Sequence, residues 1–365
     1  MWKPRRSCVI KTPAGMKSKN GSGKKGYGDY RKDVRKGVEA MSERMNRLTE
    51  AAGMLFILAF TMSVIYLLFF YPGDVSARQT EDRRIFGAAY MTMNNPYYQV
   101  LDNCLRSEIE ANGDVLLTRD AAMDQERQNG EIRELLSAGA QVIFLTPVEW
   151  DTARTGLEAA AEAGVPVIVV DAPVRDTELA ACSVLSDNYQ AGVLCAEHLL
   201  SVRDRAGIIL LEHISASSGV DRIQGFRDTI EGREGFTILA SGESDGQIEN
   251  AMPVMEELLR QAPEADVLMA LNDPSAFGGL AAIEGAGLTS RFLIYSVDGS
   301  PEAKALVDDG LMTATCAQFP ARIAREAAAQ GYLALEGGCS QREIVVPVEL
   351  LTKDNVRRYG MDGWQ

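Results

Sequence analysis

The sequence is short of the side chains on which most enzyme active sites depend. Its 365 residues include only two histidines, His198 and His213, so acid–base catalysis by histidine has few candidates. No metal-binding motif is present in the sequence, and no G-x-G spacing follows the first apolar strand, which argues against a nucleotide site. We therefore expect a protein that is not an enzyme, with no catalytic residue, no metal site and no cofactor.

Cysteine is also scarce, and its distribution argues against structural cross-links. Five of the six cysteines follow the long apolar run described below, an odd number without any C-x-x-C spacing. A zinc site is therefore not expected, and a domain of this size does not need a disulfide framework. Because most of these cysteines lie in apolar runs, we expect buried thiols. The six are Cys8, Cys104, Cys182, Cys195, Cys316 and Cys339.

Charge is missing from residues 51–73 and is unevenly divided on the two sides of that segment. At about 1.5 Å per residue, a helix over residues 51–71 would span about 31 Å, close to a bilayer core of about 30 Å. The first 50 residues carry 14 Lys and Arg against 5 Asp and Glu, a net charge of +9, which leaves −23 for the rest because the total is −14. Basic flanks stay in the cytoplasm. We therefore predict a single-pass protein of the cell membrane with a cytoplasmic N-terminus and an extracellular or periplasmic domain.

The segment over residues 51–71 is interpreted as a transmembrane anchor or an uncleaved signal. Small residues at 75–77 would suit a signal peptidase, but the apolar run is long for a signal peptide. Met41 and Met45 are alternative starts that would leave a short basic region before the run. Residues 1–50 are predicted to be a basic, largely disordered cytoplasmic tail, because residues 17–28 are too poor in apolar side chains to fold.

Apolar strands and helices alternate from Arg84 onward. The first three helices end at Gly113, Gly139 and Gly164, and glycine suits the left-handed conformation that follows a helix. The strands are continuous apolar runs, which indicates burial of both faces beneath helices. A second series of the same kind begins near Asn188. The pattern predicts an α/β protein with two doubly wound parallel-sheet lobes.

Polar side chains follow these strands at the point where each strand ends. In open α/β sheets, ligands bind beyond the carboxyl ends of the strands. Carboxylates and amides suit a ligand rich in hydroxyl groups, and tyrosine rings suit the apolar face of a sugar. Each residue alone could equally belong to a turn or a helix start, but their common position favours a site. The candidates are Asn94, Asn95, Asp171, Asn272, Asp273, Asp298 and Gln318, with Tyr97 and Tyr98 after the first strand and Trp150 after the third.

Seven motifs in a fixed order make residues 84–352 similar to a known family. The sequence resembles the ribose and galactose type of bacterial solute-binding protein, of the periplasmic binding protein-like class I family. The motifs are NNPYY (94–98), VPVIVVDAP (165–173), SDNYQAG (186–192), DRIQGF (221–226), ALND (270–273), YSVDGSPEA (295–303) and TCAQFP (315–320).

The resemblance implies the division of the domain and the residues that contact the ligand. The N-terminal lobe would comprise residues 84–187 plus 319–347, and the C-terminal lobe residues 188–318 plus 348–365. Three chain crossings would form the hinge between these lobes. The implied ligand-binding residues are Asn95, Tyr97, Tyr98, Asp171, Arg222, Asn272, Asp298 and Gln318.

The implied function is that of an extracytoplasmic sugar-binding protein that delivers a monosaccharide-like ligand to the permease of an ABC transporter by closure of its lobes. The alternative is a membrane-tethered sugar sensor that signals to a receptor or a histidine kinase. A lac-repressor-like regulator shares the lobes but needs an N-terminal helix-turn-helix in place of the membrane segment, so no nucleic-acid partner is expected. A glycosidase that uses Asp171 and Asp298 is a further alternative, which the resemblance does not favour.

Three positions depart from the pattern of ribose binders. Those proteins commonly have Arg directly after the aspartate that ends the fourth strand, where this chain has Ala172. The aromatic residue that they place near Gly246 is missing, and Met91 stands where a small polar residue is usual. The lost Arg removes charge-assisted hydrogen bonds of about 1.5–3 kcal/mol each. We therefore expect a larger, different or modified sugar rather than ribose itself.

Overall fold

The structure is a computed structural model that describes residues 27–69 and 83–365. These residues belong to two separate units, which are described one at a time. Residues 1–26 of the predicted tail lie outside the described residues. The same holds for residues 70–82, which include the end of the predicted membrane segment and the possible cleavage site.

The described part of the first unit is one helix, α1, over Tyr27–Phe69. The prediction of a largely disordered tail does not hold for residues 27–50, which are helical. Strong helix formers such as Glu, Lys, Arg, Met and Ala dominate this stretch, and a helix extends readily through them once it has started. Within α1, Glu43–Val64 has a mean hydropathy of 1.4 and the length needed to cross a membrane. Membrane anchoring stays a prediction from length and composition.

Twelve strands and nine helices alternate through residues 83–365, as the apolar runs predict. The strands are β1 (Ile85–Tyr90), β2 (Val115–Asp120), β3 (Val142–Leu145), β4 (Val167–Asp171), β5 (Cys182–Ser186), β6 (Ala206–Glu212), β7 (Phe236–Glu243), β8 (Val267–Ala270), β9 (Leu293–Asp298), β10 (Ala314–Ala317), β11 (Glu343–Val346) and β12 (Glu349–Thr352). The helices are α2 (Pro96–Ala111), α3 (Gln125–Ser137), α4 (Arg154–Glu162), α5 (Asn188–Val202), α6 (Ser217–Ile230), α7 (Ile248–Gln261), α8 (Asp273–Gly285), α9 (Pro301–Asp309) and α10 (Pro320–Leu335), with short 3-10 helices at Thr177–Leu179 and Val356–Tyr359.

The strands form two sheets of six, and the prediction of two parallel-sheet lobes is confirmed. The first sheet has the order β11-β5-β4-β3-β1-β2, with every neighbouring pair parallel. The second has the order β12-β10-β9-β8-β6-β7 and is parallel except for the antiparallel pair of β12 with β10. The order reverses at β1 in the first sheet and at β6 in the second, the kind of position where α/β sheets bind ligands.

The chain passes between the two sheets three times, after β5, after β10 and between β11 and β12. The last two strands are short and partly exposed, and the sequence did not predict them because an edge strand lacks the continuous apolar run of a central one. It also did not predict β5. The bounds of the two lobes, as given above, stay a prediction.

Each sheet is buried on both faces, as continuous apolar strands require. Along β3, Val142 and Phe144 pack into one apolar cluster, whereas Ile143 and Leu145 pack into another. Successive side chains of a strand point to opposite faces, so these clusters are the two layers beneath the flanking helices. The second sheet is covered on two faces in the same way. Burial of both faces leaves the strand ends as the place where polar side chains accumulate.

Helices α5 and α6 touch through their backbones at two glycines. A Cβ atom on Gly192 would overlap the carbonyl oxygen of Arg222, and one on Gly225 would overlap that of Tyr189. Neither overlap can be relieved by rotating a side chain, because the neighbouring atoms belong to the main chain. This close approach fixes where α6 places the side chain of Arg222.

We expect Gly192→Ala to lower the free energy of unfolding by about 3 kcal/mol, because the added methyl group forces the two helices apart. Urea unfolding followed by circular dichroism measures the change. The matched control is Gly130→Ala in α3, where an added Cβ meets nothing within 4 Å. That control should raise the stability by about 0.5–1 kcal/mol through helix propensity. Equal effects of the two substitutions would contradict the contact.

Candidate functional site

A cavity lies where the carboxyl ends of strands from both sheets come together. Its empty volume is about 410 Å³, part of which is open to solvent. All eight residues that the resemblance singles out line this one cavity. They are Asn95, Tyr97, Tyr98, Asp171, Arg222, Asn272, Asp298 and Gln318.

Two buried aspartates occupy equivalent places in the two sheets. Asp171 is the last residue of β4 and Asp298 the last residue of β9. Both have a positive φ, 72° and 139° respectively, a conformation that residues other than glycine rarely adopt. Such strain persists only where the surrounding structure enforces it, and it is concentrated at functional sites. Here it accompanies a carboxylate at the cavity wall of each lobe.

Asp171 is held by one tyrosine and keeps one oxygen unpaired. The hydroxyl of Tyr98 donates to Oδ2 at 3.1 Å, while Oδ1 is buried without a hydrogen-bond partner among the described residues. Burial raises the pKa of this carboxyl, against the opposing effects of Arg222 and of the hydroxyls of Tyr97 and Tyr98. The hydroxyl of Tyr97 lies close to it but outside hydrogen-bonding geometry. Oδ1 is therefore available to a donor on a ligand.

Asp298 is the centre of a denser network. The side-chain amide of Gln318 donates to its Oδ1 at 2.8 Å, and Nη1 of Arg222 lies 3.5 Å from the same oxygen. Arg222 is held in turn by the side chain of Asn188, at 2.9 Å, and by the carbonyl of Leu271, at 3.1 Å. The buried Oε1 of Gln318 has no partner among the described residues.

The electrostatics of Asp298 resemble those of Asp171. Burial is the largest cause that raises the pKa of the Asp298 carboxyl, followed by repulsion from Asp273, while Arg222 acts in the opposite direction. The cavity therefore presents two buried carboxylates that gain from donors supplied by a ligand.

The two asparagines of the site act as helix caps as well as wall residues. Oδ1 of Asn95 accepts from the backbone N–H of Tyr97 at the start of α2, at 2.9 Å. Oδ1 of Asn272 accepts from that of Ser275 at the start of α8, at 3.0 Å, and its amide donates to the carbonyl of Gly246. Each asparagine can therefore both start a helix and belong to the site, because capping fixes its side chain at the cavity wall.

The tyrosines are buried at the cavity rather than exposed at its mouth. Their rings meet edge to face with centroids 5.3 Å apart, and Tyr97 also packs on Trp364 at 5.6 Å. No motif in the sequence pointed to Trp364, which lies beyond the last of them. Trp150, a candidate from its position after the third strand, does not line the cavity, and Arg175 stacks over its ring at 4.7 Å.

Hydrogen bonds link the two sides of the cleft, so the structure represents a closed arrangement. Asn94, which follows β1, donates to the side chain of Gln247 beside α7, at 2.9 Å. The hydroxyl of Ser217 in α6 donates to the carbonyl of Pro173 after β4, at 3.1 Å. Asn94 thus lies beside the cavity and bridges its mouth.

His213 is a wall residue that the sequence analysis did not select. It follows β6 as Asn95 follows β1, so the rule of strand ends could have found it. Its ring atoms and the carboxylates of Glu243 and Asp245 lie within 4.8 Å of one another, a grouping that could hold a metal ion. Both oxygens of Glu243 already accept from backbone N–H groups, those of Ile214 and Asp245. We interpret the group as a loop support.

A sequence pattern that is typical of hydrolases has a structural role in this protein. Residues 242–246 read G-x-S-x-G, the spacing of a nucleophile elbow. The hydroxyl of Ser244 is fully buried and bonds to the carbonyl of Glu212 and to the hydroxyl of Ser275, at 3.1 and 3.0 Å. A buried, doubly bonded hydroxyl is not placed to attack a substrate.

Residues 86–339 match the family described as "Periplasmic binding protein domain". One relative is the ribose import binding protein of Escherichia coli, 26% identical over 264 residues that cover 72% of this chain and 88% of that protein. Another is the D-apiose import binding protein of Actinobacillus succinogenes, 26% identical over 253 residues that cover 68% and 81%. These are binding proteins, in agreement with the expectation that the chain is not an enzyme.

A solved structure shares the fold. It is an ABC transporter solute binding protein from Mycobacterium smegmatis with bound glycerol, 26% identical with a TM-score of 0.73. The match covers 78% of this chain and 99% of that one. The resemblance predicted from the seven motifs is thus confirmed.

We expect Asp171→Asn to stabilise the closed arrangement without ligand at neutral pH by about 1 kcal/mol, because it removes a charge that is buried there with an unpaired oxygen. Asparagine tolerates the positive φ of this position. The native pKa of Asp171 is raised, so the native state holds the proton more tightly than the unfolded one. The stability that this carboxyl contributes is therefore complete below its unfolded pKa of about 3.9 and is lost as the pH rises from there to its native pKa.

Thermal unfolding measured between pH 3 and 8 tests this expectation, and the gain from Asp171→Asn should vanish at the acidic end. The control is Asp308→Asn. The pKa of Asp308 is lowered by its hydrogen bonds to Arg357, so this substitution should not stabilise the protein at any pH. A loss of stability in Asp171→Asn at pH 7 would contradict the unpaired-charge argument.

Proposed function

The chain belongs to the periplasmic binding protein domain family, and we propose that it binds a monosaccharide-like ligand between its two lobes and delivers it to the permease of an ABC transporter. The observation that carries the proposal is the single cavity that gathers eight polar and aromatic residues from both sheets. The two relatives named above are import binding proteins for sugars by name.

The chemistry of the cavity suits a ligand with many hydroxyl groups. Asp171 and Gln318 each offer a buried oxygen without a partner, and each such oxygen favours a hydroxyl donor. Nε and Nη1 of Arg222 are engaged by Asn188, Leu271 and Asp298, which leaves the N–H groups of Nη2 as donors on the other side. A hydroxyl donates and accepts at once, so a polyol can satisfy both kinds of group. The buried tyrosine rings supply the apolar surface that the C–H face of a sugar needs.

Binding by two lobes gives the ligand control over the conformation. The N-terminal lobe would contribute Asn95, Tyr98 and Asp171, and the C-terminal lobe Arg222 and Asp298. A ligand shifts a conformational equilibrium only through contacts that differ between the two states. Because only the closed form offers both sets of contacts, ligand would favour closure about the three crossings, with Gln318 at the hinge.

The proposed location is outside the cytoplasm, with α1 as the anchor. The basic residues before the apolar segment favour a cytoplasmic N-terminus. The continuous helix over Tyr27–Phe69 favours a retained tether. A tether is also what a membrane-bound sugar sensor would need, so a sensor that signals to a receptor or histidine kinase is the second candidate function.

We expect Arg222→Ala and Asp298→Ala each to weaken sugar binding about tenfold to a hundredfold, because each leaves buried partners unpaired, at a cost of about 1–3 kcal/mol. Titration calorimetry against a panel of sugars measures the affinity. The matched control is Arg227→Ala on the same helix. Arg227 forms an ion pair with Glu212 at 2.7 Å and does not line the cavity. Wild-type affinity in both site variants would place the site elsewhere.

Closure predicts a change of shape that solution X-ray scattering can detect. We expect an open form without ligand and a smaller radius of gyration at saturating sugar. Arg227→Ala should retain the full change, and a sugar that does not bind should produce none. A scattering curve unchanged by a sugar whose binding calorimetry has established would contradict the clamp mechanism.

A further inference from the structure

We propose that the ligand of this cleft carries a cationic amino group, which the carboxylate of Asp171 receives, so that its class is an amino sugar or an amino-substituted polyol. The inference rests on the proposed function and narrows it. It follows from the balance of buried charge around the cavity and from the unpaired oxygen of Asp171.

The cavity wall contains more buried carboxylates than buried cations. Asp171 and Asp298 are each 2% exposed, and the buried cation among the lining residues is Arg222, at 4%. If all three are charged, the wall carries a net charge of −1. Asp245 adds a further carboxylate at the rim, where solvent screens it.

The next buried charges do not correct this balance. Asp273 is fully buried behind the wall, where the hydroxyls of Ser296 and Thr315 and the backbone N–H of Ser300 donate to it. Lys304 is also buried, and its charge interacts with that of Asp273. These two offset each other, and the excess carboxylate remains in the wall.

The geometry identifies Asp171 as the excess carboxylate. Arg222 is committed to Asp298, to the Asn188 side chain and to the Leu271 carbonyl. Among the described residues, no lysine or arginine forms an ion pair with Asp171. The following residue, Ala172, is fully buried and brings no charge to this part of the wall.

An ammonium group fits this position better than a hydroxyl. A carboxylate in a closed, water-poor cleft is costly unless a charge of opposite sign pairs with it. A hydroxyl donates one hydrogen bond and leaves the charge, whereas an ammonium donates up to three and neutralises it. Oδ1 of Asp171 is the acceptor without a partner, because Tyr98 occupies Oδ2 and the nearby hydroxyl of Tyr97 lies outside hydrogen-bonding geometry. The two tyrosine rings that line the cavity also favour a cation.

The test compares ligands that differ by a single group. Titration calorimetry on the purified full-length chain would use D-glucose, D-glucosamine and N-acetyl-D-glucosamine, the corresponding galactose set, and inositol with its monoamino analogue. At pH 7 the amino member of at least one set should bind about tenfold more tightly than its hydroxyl counterpart. The N-acetyl member, which has the nitrogen without the charge, should lose that advantage.

Two variants assign the preference to Asp171. Asp171→Asn keeps the shape and removes the charge, so it should abolish the preference for the amine. Ala172→Arg places a cation beside Asp171 and should favour the neutral member of the set. Because Ala172 is buried, the arginine variant is judged only if circular dichroism shows it folded, and Asp171→Asn decides the question otherwise.

The outcomes separate the inference from the proposed function. Neutral sugars that bind as tightly as their amines in every set would overturn the inference and leave the sugar-binding function standing. An amine preference that survives in Asp171→Asn would overturn the assignment to this carboxylate. If no member of any set binds, the inference fails, and the wider sugar panel of the calorimetry above decides the proposed function separately.

Discussion

The network around Arg222 is the interaction on which the rest of the site depends. The guanidinium joins Asn188 at the start of α5, the end of β8 through the Leu271 carbonyl, and Asp298 at the end of β9. Its position is set by the backbone contact of α5 and α6, where Gly192 leaves no room for a side chain. This buried cation offsets the charge of one of the two cavity carboxylates, that of Asp298. The other carboxylate has no such partner.

This asymmetry means that the site is built at some cost to the stability of the fold. Asp171 and Asp298 sit at strand ends with positive φ, and burial raises the pKa of both carboxyl groups. Asp171 and Gln318 keep buried oxygens without partners among the described residues. Unpaired buried acceptors are unfavourable until a ligand donates to them. The same groups therefore destabilise the empty closed cleft and stabilise the occupied one, which is what ligand-dependent closure requires.

The closed arrangement also explains the double use of several side chains. Asn95 and Asn272 cap helices and line the cavity, so the starts of α2 and α8 fix the geometry of the wall. Asn94 leaves the wall and bridges the mouth to Gln247. The starts of two helices thus hold wall residues in place, whereas the hydrogen bond that would break when the cleft opens lies at its rim.

Most of the order of elements and eight of the wall residues could be predicted from the sequence, whereas β5 and His213 were not. Continuous apolar strands between helices require a parallel sheet buried on both faces, and polar residues then accumulate at strand ends. Short edge strands such as β11 and β12 escaped prediction because exposure removes their apolar signal. The helical start of α1 escaped it because the low apolar content of residues 17–28 was extended to the whole tail. Pairing across long sequence separations was decided only by the tertiary structure. Arg222 reaches Asp298 and leaves Asp171 unpaired because the packing of α5 on α6 places its guanidinium against β9, and no local pattern in the sequence encodes that distance.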